Sequence, residues 1–397
     1  MKKTDVVIVG AGPVGCVAGY YLARRGIDVT VIDAGEAGTQ DLRASTFHPS
    51  TLEMLDTLGI ADELIEMGLK APVFQWRERS GGEAFRFDLS ELADVTAYPF
   101  RIQCEQYHLA RMLAERIEAE AKATVLFNHR MLGYRQYEDR VEVSIETPFE
   151  ILNVEAKYLI GADGANSVVR KLMGVEFEGF TYPEKFLCLT TTEPLEDHII
   201  DLDYVNYVSD PMEWLVLLRV PSLWRVLVPA EENEADSYLL SDAKKEKVFS
   251  GLIAKPDVPT DHRTIYRVHQ RVAKSLRDNR VMIIGDAAHL NNPLGGLGMN
   301  SGIHDAFNLC PKMVDILQGE GDADALLSSF NDERLSATIE LVQAQTIQNM
   351  EFMKEGDSEQ HRLRKDAMRK LVEDPVKRRS YMLRQSMLPS DRTSIPN

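Results

Sequence analysis

Three groups of residues in the sequence have types and spacings that could do chemistry. The first is Gly10-Ala11-Gly12-Pro13-Val14-Gly15. Gly10 allows a tight turn, Gly12 has no side chain to keep a pyrophosphate from the backbone, and Gly15 lets a helix lie close to a strand. Pro13 and Val14 open that helix, and proline there sacrifices no hydrogen bond because the missing N–H has no helical acceptor. The N–H groups at the helix start can then face two phosphates. Asp33 follows 18 residues after Gly15, a spacing that suits acceptance of hydrogen bonds from a ribose diol. A carboxylate there repels a 2′-phosphate, so the expected dinucleotide is FAD or NAD.

The second group is Gly161-Ala162-Asp163-Gly164-Ala165-Asn166-Ser167-Val168-Val169-Arg170. Alone, its Asp-Gly pair reads as a turn. The third is Gly285-Asp286-Ala287-Ala288-His289, followed by Pro293-Leu294-Gly295-Gly296-Leu297-Gly298-Met299-Asn300. An acid at the carboxyl end of a strand, then a glycine-rich loop feeding a helix, suits an anion or another polar ligand. No acidic residue stands between His289 and Ser301. Ser167 is not a hydrolase nucleophile, because the chain has no Gly-x-Ser-x-Gly. No second histidine stands in ligand spacing from His289, so no metal site is expected.

These residues need strand ends to carry them. Val6 to Val9 and Val29 to Ile32 are short apolar runs, and Val14 to Arg25 between them has helical spacing ended by Gly26. This is a strand–helix–strand unit of about 30 residues, the mark of a right-handed crossover in a parallel sheet. Tyr158-Leu159-Ile160 and Val281-Met282-Ile283-Ile284 are similar buried-strand runs, each ending on one of the other two motifs. Helices are predicted at Ser50 to Leu58, Gln106 to Ala119, about Met299 to Leu317, 330–350, and 358–386 with a break at Pro375. Between about 180 and 275 helical patterns are scarce, and Leu215 to Val220 and Arg225 to Val228 read as antiparallel strands. A second, sheet-based domain is expected there.

The 397 residues suffice for a large core without disulfides or metal. A formal net charge of -17 argues against non-specific nucleic-acid or anionic-membrane binding. The only basic stretch, residues 351–397, has 11 Lys and Arg against 8 Asp and Glu and reads as a solvated helical surface. The four cysteines are too far apart for a metal or redox motif, and no run of 18 apolar residues exists. A cytoplasmic protein is expected.

In this order and at these separations, the three motifs resemble the FAD-binding pattern of the single-component (class A) flavoprotein aromatic hydroxylases, typified by para-hydroxybenzoate hydroxylase. The likeness runs from Val6 to about Lys312. It implies an α/β architecture: a Rossmann-like FAD-binding domain of the glutathione-reductase-like FAD/NAD(P)-binding type, a mixed-sheet substrate domain and a helical C-terminal tail. The implied divisions are 1–75, 100–178 and 272–350 for FAD, 76–99 and 179–271 for substrate, and 351–397 for the tail.

The resemblance also implies roles. Gly10, Gly12, Gly15 and Asp33 hold the ADP half, with Pro13 and Val14 beside them, and Arg43 approaches the pyrophosphate. Gln106, or Gln103 if the register differs, reaches the flavin or its ribityl chain. Asp163 serves FAD and reduced-nicotinamide recognition, and Asp286 binds ribityl hydroxyls. The backbone from Gly295 through Gly296, Gly298 and Met299 to Asn300 faces the flavin ring, where helix-start donors suit the anionic reduced flavin. The implied activity is an FAD-dependent monooxygenase that uses NADH or NADPH and O2 to hydroxylate a small phenolic or N-heteroaromatic substrate, acidic ones included, through a flavin C4a-hydroperoxide. With one dinucleotide fingerprint, NAD(P)H visits transiently.

Asn292, Pro293, Gly295 and Gly296 are the residues assigned to the reacting centre. Tyr204, Tyr207 and Arg219, with Trp214 and Arg225, are the substrate candidates. His289 is read as a packing or hydrogen-bonding residue. A monomer or homodimer is expected. The enzymatic alternative is a flavin epoxidase or N-/S-oxygenase, and the alternative outside catalysis is a flavin-bound scaffold. A halogenase is disfavoured because Trp214 and Trp224 lack Trp-x-Trp spacing.

Two departures from the family pattern stand out. Asn292 occupies a place where the family often has proline, and either donates toward substrate or flavin or caps the turn. Pro311 interrupts Asn308-Leu309…Lys312 and predicts a kink, with the hydrogen bond to Phe307 lost.

Overall fold

The structure, a computed structural model, describes residues 2–39, 44–79, 83–210, 213–353, 358–389 and 392. Arg43 lies outside the described residues. The chain divides into two compact units. One comprises Met1–Ala44, Glu105–Phe180 and His269–Ala344; the other comprises Ser45–Cys104, Thr181–Val268 and Gln345–Asn397.

The first unit is built on a sheet whose central order is Val281–Ile283, Ile151–Gly161, Lys2–Val9, Val29–Ile32, Ala123–Leu126, all neighbours parallel. Val6 to Val9 and Val29 to Ile32 are buried at every position, the continuous apolar pattern of a parallel sheet covered on both faces. The helices Pro13–Ala23, Gln106–Glu118 and Leu297–Gln318 belong to this unit. Leu109, Leu113 and Ile117 recur at four-residue intervals and form the buried stripe of the second helix. Leu297–Gln318 is a single helix of 22 residues that continues through Pro311. The proline does not divide the helix into two elements. Asn308 and Lys312 both bond the Glu333 carboxylate of the neighbouring helix, at 2.7 and 2.9 Å, and so fasten the turn that contains the proline.

The second unit contains most of a mixed sheet in the order His262–Ala273, Phe177–Thr191, Trp224–Ala230, Leu215–Arg219, Val205–Ser209, Val73–Glu78, Ala84–Asp88, the first two strands contributing to it up to Val268 and from Thr181. Side chains alternate between its faces. Leu187, Leu189, Leu217, Val226 and Val228 point to one side and join Val248 and Phe249 of the helix Asp242–Ile253 in a closed core. The register places Cys188, Arg225, Val216, Tyr207, Trp76 and Phe74 on the other side.

Residues 45–75 and 100–104 cluster with this second unit, where the sequence placed them with the first. The reason is local pairing: Thr46–Phe47, Arg101–Gln103 and Leu69–Ala71 form their own small antiparallel sheet. The tail also belongs here. Its helices carry Arg369, Arg378 and Arg379, which pair with Glu83, Glu91 and Asp94 at 2.6, 3.0 and 2.7 Å. The expected solvated basic surface is thus partly neutralised by acids of the same unit. All four cysteines are buried and free. Among the described residues, no helix is long and apolar enough to cross a membrane.

Candidate active site

The register of the first sheet assembles the three motifs. Val9 pairs with Ile32 on one side and Gly161 on the other, and Gly161 pairs with Ile283. Asp286, Asp163, Gly10 and Asp33 therefore follow the carboxyl ends of four neighbouring parallel strands. At the usual inter-strand spacing these ends span about 14 Å. The chain leaves Lys2–Val9 for a strand on one side while Ile151–Gly161 pairs on the other, which makes this edge a topological switch point, the place where open α/β sheets bind nucleotides.

Gly10 has φ +107°, and a Cβ there would strike the carbonyl of Ala162. The first and second motifs are thus in direct backbone contact. At Gly12 a Cβ would meet nothing within 4 Å, so the space over the helix start is open. The helix Pro13–Ala23 has no side-chain cap and no acid in its first turn, which leaves its leading N–H groups for a ligand. Asp33 accepts the Ala11 N–H on Oδ2 and the Gly35 N–H on Oδ1, both at 2.7 Å. Each oxygen keeps a further lone pair, as a ribose diol requires. This cradle fits the ADP half of FAD.

Asp163 is already engaged. Its carboxylate accepts from Ser167 Oγ at 2.5 Å and from Val168 and Val169 N–H at 2.7 and 3.2 Å, and so fixes the start of the helix Val168–Met173. Arg170 on that helix donates to Ala165 O at 2.7 Å and Ala287 O at 2.8 Å. It therefore ties the turn bearing Asp163 to the turn bearing Asp286. The Asp286 turn is held from its other side by Asp305, whose Oδ2 accepts the Gly285 N–H at 2.9 Å and bonds His289 Nε2 at 2.7 Å. Arg334 Nε donates to Asp305 Oδ1 at 2.6 Å. Burial alone would raise the Asp305 pKa, but His289, Arg334 and these hydrogen bonds outweigh it and hold the carboxyl at about 2. His289 is thus a buried hydrogen-bonding residue, as read from the sequence.

The sequence reading assigned no role to Arg170, Asp305 or Arg334. A signal for Asp305 existed: it falls on the same helical stripe as buried Ser301, Gly302, Ala306 and Leu309, and an acid on a buried stripe demands partners. The stripe passes close to the first motif. A Cβ on Gly302 would lie 2.6 Å from Val14 Cγ2 and 2.9 Å from Gly285 Cα.

In the glycine loop, Asn292 Oδ1 accepts the Leu294 N–H at 3.1 Å, which makes Asn292 a turn cap, one of its two expected roles. Pro293 is exposed. Gly295 and Gly296 both have positive φ, +98° and +68°. Asn300 Nδ2 donates back to Gly296 O at 2.7 Å, closing the loop over the first turn of Leu297–Gln318, where Gly298 and Met299 lie. That helix start again has neither a side-chain cap nor an acid. Gln106 is buried at the first position of its helix; Gln103 is completely buried, with Oε1 accepting from Thr46 Oγ1 and Nε2 without a partner.

Of the substrate candidates, Tyr207 and Arg225 share the face of the second sheet opposite its closed core. Trp214 precedes Leu215 and meets Phe186 edge-on at 5.3 Å, on the same side. Arg219 pairs with Trp224 across the hairpin and so points to the other face, where its Nη1 donates to Val220 O at 3.0 Å. Tyr204 stands just before its strand and is exposed. Arg219 and Tyr204 are therefore not brought together with Tyr207.

Comparison with known proteins agrees with this construction. The family described as FAD binding domain matches residues 3–345. The chain is 29% identical over 373 residues to para-nitrophenol 4-monooxygenase of Pseudomonas sp. (strain WBC-3), covering 93% of this chain and 92% of that one. It is 32% identical over 362 residues to 6-hydroxy-3-succinoylpyridine 3-monooxygenase of Pseudomonas putida (strain DSM 28022 / S16), covering 88% of each. The crystal structure of p-nitrophenol 4-monooxygenase from Pseudomonas putida DLL-E4 matches with a TM-score of 0.91 at 27% identity, over 97% of this chain and 99% of that one. With a nucleotide cradle at the switch point and a family match across most of its length, the chain belongs to the class A FAD-dependent aromatic hydroxylases, as a flavoprotein monooxygenase.

Proposed function

We infer that this monooxygenase takes electrons from NADH or NADPH and hydroxylates a small phenolic or N-heteroaromatic compound. The observation that carries the reading is the alignment of Gly10, Asp33, Asp163 and Asp286 on four adjoining strand ends. Relatives named for a nitrophenol and a hydroxypyridine support the substrate class. In this reading Gly10, Gly12, Pro13, Val14, Gly15 and Asp33 hold the ADP half. Asp286 holds the ribityl chain, and the loop from Gly295 to Asn300 faces the flavin ring. Bound FAD supplies the chemistry that places one atom of O2 on the substrate and sends the other to water at the expense of NAD(P)H.

The protein's own contribution is position and charge. The uncapped start of Leu297–Gln318 presents fixed N–H donors where the reduced ring becomes negative. Asp305, Arg170 and Asn292 hold the turns in place. Tyr207, Trp214 and Arg225 are the side chains assigned to the aromatic substrate, in a buried setting that strengthens each polar contact.

The test is spectral and kinetic. Purified protein should be yellow through gel filtration, and oxidation of NADH or NADPH should be stimulated by one member of a panel of phenols, hydroxypyridines and anthranilate-like acids, with hydroxylated product recovered. A protein that takes up no FAD, or is stimulated by no aromatic compound, overturns the reading.

A further inference from the structure

Among its described residues the second unit buries a cation and gives it no counter-charge. Arg101 is 1% exposed and carries a guanidinium cation. Among the described residues Nη2 reaches only the Gln385 carbonyl, at 3.4 Å, and Nε and Nη1 have no hydrogen-bond partner. No carboxylate pairs with it among the described residues. Two buried lysines of the same unit do have carboxylate partners: Lys244 pairs with Glu213 and Glu234 at 3.1 and 3.7 Å, and Lys185 with Asp236 at 2.7 Å. A buried charge without partners is strongly unfavourable unless something supplies them.

What surrounds Arg101 is aromatic. Its guanidinium lies 4.2 Å from the centre of the Phe74 ring, and Tyr381 packs against Phe74 and Phe87. Trp76 stacks on Tyr207 at 4.5 Å and donates its indole N–H to Tyr381 Oη at 3.2 Å. A ring face attracts the cation but accepts no directed hydrogen bond from Nε or Nη1 in the guanidinium plane. Gln103 stands two residues along the same strand, hence on the same side, with its Nε2 also unpartnered. Donors without acceptors, next to stacked rings that include Tyr207, describe a site complementary to an aromatic compound bearing an anionic oxygen.

We propose that Arg101 is the anion-binding residue for the substrate, receiving a carboxylate or phenolate oxygen carried by the aromatic ring. This rests on the hydroxylase reading and narrows its substrate class to aromatic acids and ionised phenols. Arg101 is a binding residue here and takes no part in oxygen transfer.

The experiment measures binding to FAD-loaded enzyme by calorimetry, with benzoates, ionised phenols and their neutral isosteres (benzamides and anisoles) as paired probes. Wild-type protein should prefer the anion of a pair at least 10-fold, and Arg101→Met should erase that preference while leaving the affinity for neutral probes within about 3-fold. Without ligand, Arg101→Met should unfold at the same or a higher temperature than wild type, since it removes an unpaired charge; a purely structural arginine would give a marked fall. Arg101→Lys should retain part of the anion preference. If Arg101→Met does not fold, the wild-type preference and the lysine variant still decide. Equal affinity of wild type for anions and neutral probes overturns the proposal, as does an unchanged preference in Arg101→Met. Loss of FAD affinity in that variant with aromatic binding intact also overturns it, because the anion served would then be the cofactor. If some neutral aromatic stimulates NAD(P)H oxidation while no anion is preferred, the proposal fails and the hydroxylase reading stands. If no aromatic binds at all, both fail.

Discussion

At the scale of single residues, the site divides into groups that face a ligand and groups that hold them. Asp286 is assigned to the ribityl chain, and Asp286→Ala should weaken FAD binding by about 1.5–3 kcal/mol, the worth of a hydrogen bond to a charged group; fluorescence titration of the apoprotein with FAD measures it. Asp305 belongs to the holding groups. Its folded pKa of about 2 lies below the ordinary value for aspartate. A depressed carboxylate stabilises the fold fully above its unfolded pKa and loses that contribution as the pH falls toward the folded one. The contribution is about 2 kcal/mol. Asp305→Asn should cost about 3 kcal/mol at neutral pH, with the gap to wild type narrowing by about 2 between pH 5 and 2 in denaturant titrations. A constant gap would show that Asp305 is not the titrating group. The residues assigned to the ligand were legible in the sequence because glycine turns and terminal acids announce themselves locally. The holding residues were not: Arg334 finds Asp305 across 29 positions of chain, and Arg170 finds Ala287 across 117.

At the scale of elements, periodicity was a good guide to strands and helices and a poor one to which way their side chains point. Gln106–Glu118 and Leu297–Gln318 fall within two residues of their expected ends, because apolar residues recur along them. Arg219 and Arg225 looked equivalent on paper. The hairpin pairing of Arg219 with Trp224 puts them on opposite faces, since one position of register exchanges the faces of a strand. Pro311, expected to kink its helix, leaves it one continuous element, and Asn308 and Lys312 beside it both bond Glu333. Two predictions belong here. Gly302→Ala should cost about 1–3 kcal/mol, because its Cβ would press on Val14 and Gly285; thermal unfolding reports it. Gly298→Asp has open space around it and places an acid in the first helical turn, which favours the helix. The same charge opposes the reduced flavin, so the two-electron midpoint potential should drop by about 20 mV, the equivalent of ~1 kcal/mol, in spectroelectrochemical titration.

At the scale of the whole molecule, the sequence pointed to units assembled from interleaved segments, and the structure draws the lines by pairing. Residues 45–75 and 100–104 look like continuations of the first unit when read in order, but Thr46–Phe47, Leu69–Ala71 and Arg101–Gln103 pair with one another, and Val73–Glu78 pairs with strands of the second unit. Such non-local pairing leaves no periodic trace in the sequence. The net charge of -17 likewise hides a buried arginine, Arg101, that has no carboxylate partner among the described residues. The buried thiols have a use of their own. Cys16 and Cys310 lie in one unit and Cys104 and Cys188 in the other. Burial, with Asp33 nearby, pushes the Cys16 thiol up to about 12, so it is inert at neutral pH while the fold is closed. An aromatic disulfide reagent should colour slowly with native protein and release four equivalents once it is denatured. Pulsed alkylation followed by peptide mass mapping then acts as a clock with two hands: whichever pair is tagged first names the unit that breathes open sooner, and saturating FAD should slow the Cys16–Cys310 hand alone if the nucleotide rests on that unit and the units open separately.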